Sequence, residues 1–253
     1  MTTPDAATLT CDAFLGGALQ IWQPQRGYRA GIDAVLLAAA VRAQPGQSVL
    51  DLGCGVGVAG LSLARRVGNL HVAGIERQPF YADLAQRNAR ENGIDADIVQ
   101  ADLADMPTGL RARQFDHVLA NPPYFDRERG ARAPDAHRET ALGEDTPLQD
   151  WVRIAAKRTR PGGSVTFIQR AERLPELLAH ATGCLGSIEI LPLLPRAGRP
   201  ARLVLMRARN GGRAPFHLHA GCVLHSGSSH TRDADDYTAP IAAVLRNPSE
   251  LNF

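Results

Sequence analysis

The stretch Ser48–Val67, SVLDLGCGVGVAGLSLARRV, constrains the fold more than any other part of the chain. An apolar run ends in a glycine-rich turn, and the turn opens onto residues with apolar positions at helical spacing, which reads as strand, loop, helix. The alternation repeats. HVAGIE is a second strand ending at Glu76, ADLAQRNARENG a helix with Gly93 at its C-terminal stop, and ADIVQAD a third strand ending near Asp102. FDHVLAN is the fourth, and after a long polar segment the helix PLQDWVRIAAKRTR is stopped by Pro161-Gly162-Gly163 before a fifth strand, SVTFIQR. Strands alternating with helices predict an α/β fold: a doubly wound, mostly parallel sheet with right-handed crossovers, and ligands gathered at the strand C-terminal ends. The runs SIEILPLLP and ARLVLMRA are joined by RAGRP, too short for a crossover helix, so they form an antiparallel pair at the sheet edge, which FHLHAGCVLH extends.

The 253 residues suffice for one large α/β domain, and no linker or internal repeat divides them, so residues 1–253 read as a single domain. A net charge of +2 sets no strong electrostatic field, although Lys157 is the only lysine among 28 basic residues. Arginine suits phosphate and base contacts, but an Ala-, Arg- and Gly-rich chain also reflects the codon bias of a GC-rich genome. Cys11, Cys54, Cys184 and Cys222 have neither disulfide-framework nor zinc-ribbon spacing, which fits a reducing cytoplasm. No basic, then apolar, leader and no membrane span is legible.

In DLGCGVGVAG, Gly53, Gly55 and Gly57 let the backbone turn tightly against a ligand, while Gly55, Gly57 and Gly60 also satisfy the dinucleotide pattern G-x-G-x-x-G. Two features favour S-adenosylmethionine. Asp51 lies at the strand–loop junction, where a carboxylate repels a pyrophosphate and attracts a cation. The first three strands end at or beside acids, Asp51, Glu76 and Asp102, suited in turn to an amino acid moiety, ribose hydroxyls and an adenine. Each acid taken singly is equally a helix cap or a loop carboxylate.

The fourth strand stops on Asn121-Pro122-Pro123-Tyr124, and here the chain resembles the class I methyltransferases that modify a planar nitrogen, whose signature is (N/D)-P-P-(Y/F/W). An exocyclic amine delocalises its lone pair into the ring and becomes a competent nucleophile only when its hydrogens are held by acceptors. By that resemblance the Asn121 side-chain oxygen and the Pro122 carbonyl are those acceptors, Pro123 stiffens the turn, and Tyr124 stacks on an extruded base. No strong base is needed, since the amine proton becomes acidic once attack has occurred. Upstream, RGYRAGIDAVLLAAA is similar to the segment before the first strand in the bacterial valine-tRNA adenine-N6 methyltransferases, although Ile32 stands where a threonine is common. The resemblance implies a Rossmann-like seven-stranded sheet with an antiparallel edge strand. It also implies an N-terminal extension, 1–45, covering the cofactor site, with Gly31 and Asp33 at the methionine end and Asp33 capping the helix AVLLAAAV. Asn121 joins the cofactor set.

The implied partner is tRNA, approached through Tyr124, Phe125 and the cations Arg127, Arg129, Arg132 and Arg138, whose segment lacks periodicity. A second arginine cluster, Arg196, Arg199, Arg202, Arg207, Arg209 and Arg213, falls at the sheet edge, where charge also serves to prevent edge pairing. His217, His219, Cys222 and His225 match no zinc spacing, so no metal is expected. Subunit number is not legible. The same clamp serves glutamine methylation of translation release factors, but only some 45 residues precede the first strand, little room for those enzymes' helical N-terminal domain. Other RNA or DNA bases are further alternatives. A non-catalytic RNA-binding module ranks last, because no site motif has decayed.

Overall fold

A computed structural model describes residues 9–126, 143–144, 146–227, 236–251 and 253. It begins with a hairpin, β1 (Leu9–Phe14) and β2 (Leu19–Pro24), followed by α1 (Ile32–Ala40). Then come β3 (Ser48–Leu52), α2 (Val58–Val67), β4 (His71–Glu76), α3 (Pro79–Glu91), β5 (Ala96–Gln100), a one-turn α4 (Thr108–Arg111) and β6 (Phe115–Ala120). Beyond β7 (Phe125–Asp126) and β8 (Gly143–Glu144) run α5 (Leu148–Arg158), β9 (Thr159–Arg170), α6 (Leu174–Ala181), β10 (Gly186–Leu194) and β11 (Leu203–Arg209). Two-residue strands β12 (His217–Leu218) and β13 (Cys222–Val223) precede α7 (Ala239–Arg246).

The strand order β12-β10-β11-β9-β6-β3-β4-β5, with β13 also on β10, makes seven longer strands extended by two short ones. Neighbours from β9 to β5 are parallel. The reversed strand is β11, antiparallel to both β10 and β9, so it lies inside the sheet and β10 turns its outer side to β12 and β13. The short connection over residues 195–202, which contains RAGRP and no helix, forces the reversal, and the slot beside β9 is where β11 completes its ladder. One expected boundary moves: α5 ends at Arg158 and β9 starts at Thr159, so Pro161-Gly162-Gly163 lie in the strand. Thr159 pairs with Phe115, the register then shifts before His117 meets Ser164, and Asn210 exchanges backbone hydrogen bonds with Gly162 and Gly163 across the bulge.

The pleat divides each central strand between two cores. On β3, Val49 faces the layer of α1 and α2, while Leu50 and Leu52 face the layer of α5 and α6; on β6, Leu119 joins the first, Val118 and Ala120 the second. All six are fully buried, the Val and Leu side chains contributing about 1.5–3 kcal/mol each of transfer free energy and the Ala120 methyl about 0.8 kcal/mol. Asp51 has the same parity as Val49 and is thereby carried under α2.

The hairpin is docked by side-chain amides rather than by a third strand. Asn88 accepts the Trp22 N–H at 2.8 Å and donates to its carbonyl at 3.1 Å; Asn92, one turn on along α3, does the same for Gln20 at 2.9 and 2.7 Å. Alternate residues of β2 present their edge groups at a spacing that i,i+4 asparagines match. The segment after β2 is then fixed by Arg29 on Asp12 and by Gln23, whose amide donates to Asp12 and whose oxygen accepts the Ala30 N–H.

Candidate active site

Where the chain leaves β3 for β4 on one side and returns to β6 on the other, the strand C-terminal ends open into a cavity of about 880 Å³, its mouth included. Gly53, Gly55, Glu76, Asp102, Asp33, Asn121, Pro122, Pro123 and Tyr124 all line it, so residues spread over some ninety positions meet at one site. The walls also include residues that no motif singled out: Tyr28, Tyr81, Ile75, Leu103 and Trp151. Tyr28 comes from the segment that the hairpin fixes, and Trp151 from the first turn of α5.

The glycines are explained by those walls. Gly53 has φ 64°, and a Cβ there would lie 2.4 Å from the Trp151 ring; Gly55 has φ 56° and would crowd Tyr28 at 3.2 Å. The loop is held from below by Glu76, which accepts the Gly55 N–H at 3.0 Å and the Gln78 N–H at 2.8 Å. Burial pushes the Glu76 carboxyl up, against the pull of those two bonds. Asp102 accepts the Ala104 N–H at 2.8 Å at the rim of the cavity. A carboxylate at the end of β4, a second beyond β5 and the apolar Ile75, Leu103 and Trp151 between them suit a ribose diol and an adenine, so the residues present fit S-adenosylmethionine.

Three predicted cofactor residues stand elsewhere. Asp51 is buried under α2 and accepts the Gly60 N–H at 2.9 Å, so its carboxylate organises the helix start instead of facing the cavity. Burial pushes its carboxyl up to about 7, the Gly60 bond opposing and Glu76 adding repulsion. Gly57 closes the loop as the left-handed residue before α2, and Gly31 precedes α1; neither is among the lining residues.

Asp33 does not cap α1. The cap position is Gly31, without a side-chain bond, and the helix begins at Ile32, which places Asp33 within the first turn. Its carboxylate is instead used across the cavity: Oδ2 accepts from Asn121 Nδ2 at 3.1 Å and from the Tyr124 hydroxyl at 2.7 Å. Burial, then the Asp33 charge, raise the Tyr124 phenol far above its ordinary range, so it remains a donor. On the other side of the turn, Arg173 donates to the Pro123 carbonyl at 3.3 Å, whereas the Pro122 carbonyl takes no hydrogen bond among the described residues. The Arg170 guanidinium lies 5.6 Å from the Tyr124 ring centroid.

On the substrate side, β7 pairs the Phe125 backbone with Gly143, and Arg127, Arg129, Arg132 and Arg138 lie outside the described residues. The second arginine cluster divides: Arg196 and Arg207 are buried on Asp236 and Glu189, while Arg199, Arg202, Arg209 and Arg213 are exposed. His219 bonds Glu189 and His225 bonds Asp236, and among the described residues no three such groups converge for a metal. The four cysteines are free, and no described helix is long and apolar enough to cross a membrane.

Known proteins share both this sequence pattern and this architecture. The methyltransferase small domain model matches residues 29–183. A tRNA1(Val) (adenine(37)-N6)-methyltransferase of Porphyromonas gingivalis is 32% identical over 179 residues, 67% of this chain and 69% of that one. Its counterpart in Glaesserella parasuis is 27% identical over 213 residues, 81% and 86% of the two chains. Among solved structures, a protein described as a predicted O-methyltransferase from Agrobacterium tumefaciens superimposes with a TM-score of 0.70 at 26% identity, covering 87% of this chain and 98% of that one. The 16S rRNA N2 G1207 methyltransferase of T. thermophilus, in complex with AdoMet and guanosine, shares the fold with a TM-score of 0.56 at 23% identity, covering 80% of this chain and 50% of that one.

Proposed function

From the premise that this chain belongs to the methyltransferase small domain family and is an S-adenosylmethionine-dependent methyltransferase, we propose that it methylates the exocyclic N6 of an adenine in tRNA, the acceptor being an anticodon-loop adenine of a valine tRNA. The observation that carries this reading is that Asn121-Pro122-Pro123-Tyr124 closes the same cavity that Gly53, Gly55, Glu76 and Asp102 line. The relatives from P. gingivalis and G. parasuis support the acceptor by what they are named for.

S-adenosylmethionine supplies an electrophilic methyl group on a sulfonium centre. Glu76 would take the ribose hydroxyls, Asp102 and the apolar walls the adenine, and the Gly53–Gly55 turn the amino acid end; Asp51, Gly57 and Gly31 shape this end from behind. The segment up to residue 45 covers it by bringing Tyr28 and Asp33 to the cavity wall. At the acceptor, Asn121 Oδ1 and the Pro122 carbonyl hold the two amine hydrogens, which draws the lone pair out of conjugation and aims it. Arg173 already occupies the Pro123 carbonyl, which leaves that of Pro122 for the amine. Tyr124 packs on the base, Phe125 beside it, and Arg127, Arg129, Arg132 and Arg138 meet phosphates. The attacking amine releases its proton to water, so the site needs no strong base. Its setting is a reducing cytoplasm, consistent with four free cysteines.

A glutamine side-chain amide has the same conjugated nitrogen and would suit the same clamp; no observation in this structure favours it. The deciding experiment is mass spectrometry of nucleosides from unmodified bulk tRNA incubated with S-adenosylmethionine and the protein, beside Asn121→Ala. N6-methyladenosine with wild type alone, Asn121→Ala retaining cofactor affinity within about threefold, supports the reading. Methyl transfer to protein glutamine in place of RNA overturns the acceptor, and full turnover by Asn121→Ala overturns the mechanism.

A further inference from the structure

We infer that Asp33 is a positioning residue for the acceptor clamp, fixing which end of the Asn121 amide faces the substrate amine. This rests on the function proposed above. The clamp has a symmetry problem. An asparagine amide has nearly the same shape in its two flipped orientations, yet only one presents oxygen to an amine; the other presents N–H against N–H and supplies no acceptor. Proline on its C-terminal side restricts the Asn121 backbone but leaves the amide free to flip. Something must distinguish nitrogen from oxygen.

Asp33 does so. Its Oδ2 is 3.1 Å from Asn121 Nδ2 and 2.7 Å from the Tyr124 hydroxyl, so one carboxylate oxygen collects a donor from each end of the clamp. A carboxylate only accepts. The flipped amide would set oxygen against it, exchanging a charge-assisted bond for repulsion, while the Tyr124 hydroxyl would remain on the same oxygen. Asp33 is free for this because Gly31, not its own side chain, starts α1, and a first-turn carboxylate is favoured by the helix N-terminus. The residue therefore lies 88 positions from the amide it orients, on an element outside the strand that carries the clamp.

A role in cofactor binding alone would predict a different pattern, and a set of exchanged partners separates the two. Asp33→Asn, Asn121→Asp and the double variant are compared by turnover on unmodified tRNA and by calorimetric affinity for S-adenosylmethionine, which also reports that each is folded. Asp33→Asn lowers kcat about 30-fold while the cofactor Kd and the KM for tRNA stay within about threefold. Asn121→Asp sets two carboxylates face to face and loses more. The double variant exchanges the partners: the amide now on α1 donates to the carboxylate now after β6, whose second oxygen again faces the amine. Turnover then recovers at least tenfold over Asn121→Asp. A double variant no better than Asn121→Asp, or an Asp33→Asn loss matched by loss of cofactor affinity, overturns the inference. Wild type inactive on tRNA defeats the functional reading instead, whatever Asp33 does.

Discussion

The two ends of the central strands carry similar polar side chains and treat them in opposite ways. At the N-terminal ends of β3, β6 and β9, Asp116 accepts the Ser48 N–H at 2.8 Å and the Ser48 hydroxyl at 2.7 Å, and Arg160 closes its other oxygen at 2.6 Å. Beside it, His117 Nδ1 lies 2.7 Å from Ser164 Oγ and Nε2 lies 2.9 Å from Gln47 Oε1. An amide oxygen accepts only, so Nε2 carries the proton; burial holds the imidazole neutral, so Nδ1 accepts from the Ser164 hydroxyl and both nitrogens are satisfied. At the C-terminal ends, Asp51, Glu76, Asp33 and Asn121 hold their own loops and each other, but Glu76, Asp33 and Asn121 also face open space. The same sheet thus seals one end and leaves acceptor capacity at the other, which is where a ligand gains most from binding.

On that contrast, damage at the two ends differs in kind. The largest effect is expected at the sealed end: Asp116→Ala strands the Ser48 N–H and hydroxyl donors, while the exposed Arg160 stays in water, and costs about 2–3 kcal/mol in denaturant unfolding, with turnover per folded molecule unchanged. Lost turnover at full stability would erase the distinction. At the open end, Glu76→Gln weakens S-adenosylmethionine about 10- to 50-fold by calorimetry, roughly 1.4–2.3 kcal/mol, and lowers ligand-free stability less than Asp116→Ala does, since its single amide oxygen keeps one of the Gly55 and Gln78 N–H bonds and gives up the other. A cofactor affinity equal to wild type would remove Glu76 from the site.

Asp51 sharpens the comparison through pH. Its carboxyl ionises near 7 in the fold against 3.8 when unperturbed, so the folded state retains a proton that the unfolded chain has released. The stability this provides is complete below about 4 and is lost as pH rises through about 7. Asp51→Asn is therefore expected to raise the melting temperature by about 3–6 °C at pH 8 and by nearly nothing at pH 4, with a smaller loss of cofactor affinity than Glu76→Gln. A gain that is equal at both pH values would mean that burial does not disfavour its charge.

The smallest effect is the reverse one. Burial lowers the His117 imidazole to about 4 from 6.5, with Asp116 opposing, so its stability is present above about 6.5 and lost as pH falls toward 4. His117→Gln lowers stability at neutral pH but removes that acid-side slope. Thermal melts of the two single variants should therefore tilt in opposite directions between pH 4 and 7. Parallel slopes would refute the opposed assignment.

What was legible in the chain follows from which interactions are local. The alternation of strands and helices is written in period, and the glycine loop and N-P-P-Y state their backbone needs in residues next to one another. The acids at strand ends were likewise visible as positions. Their directions were not: Asp51 lies next to the end of β3 and Glu76 at the end of its neighbour β4, yet strand parity and the start of α2 carry one under the helix and the other to the cavity. Asn88 and Asn92 read as ordinary polar helix positions, because nothing local says that β2 will lie beside them. Tyr28 and Trp151 gave no signal beyond size and apolarity.

The amino-acid sequence by itself determined the doubly wound order of elements, the tight turns and the presence of an amide clamp after β6, since each depends on residues within one turn or strand of each other. Only the tertiary structure decided that Asp33 serves Asn121 and Tyr124 instead of its own helix, and that Arg173 occupies one proline carbonyl and leaves the other. A side-chain hydrogen bond is settled by a fraction of an ångström between groups dozens of residues apart, a separation that packing sets and that no local pattern encodes.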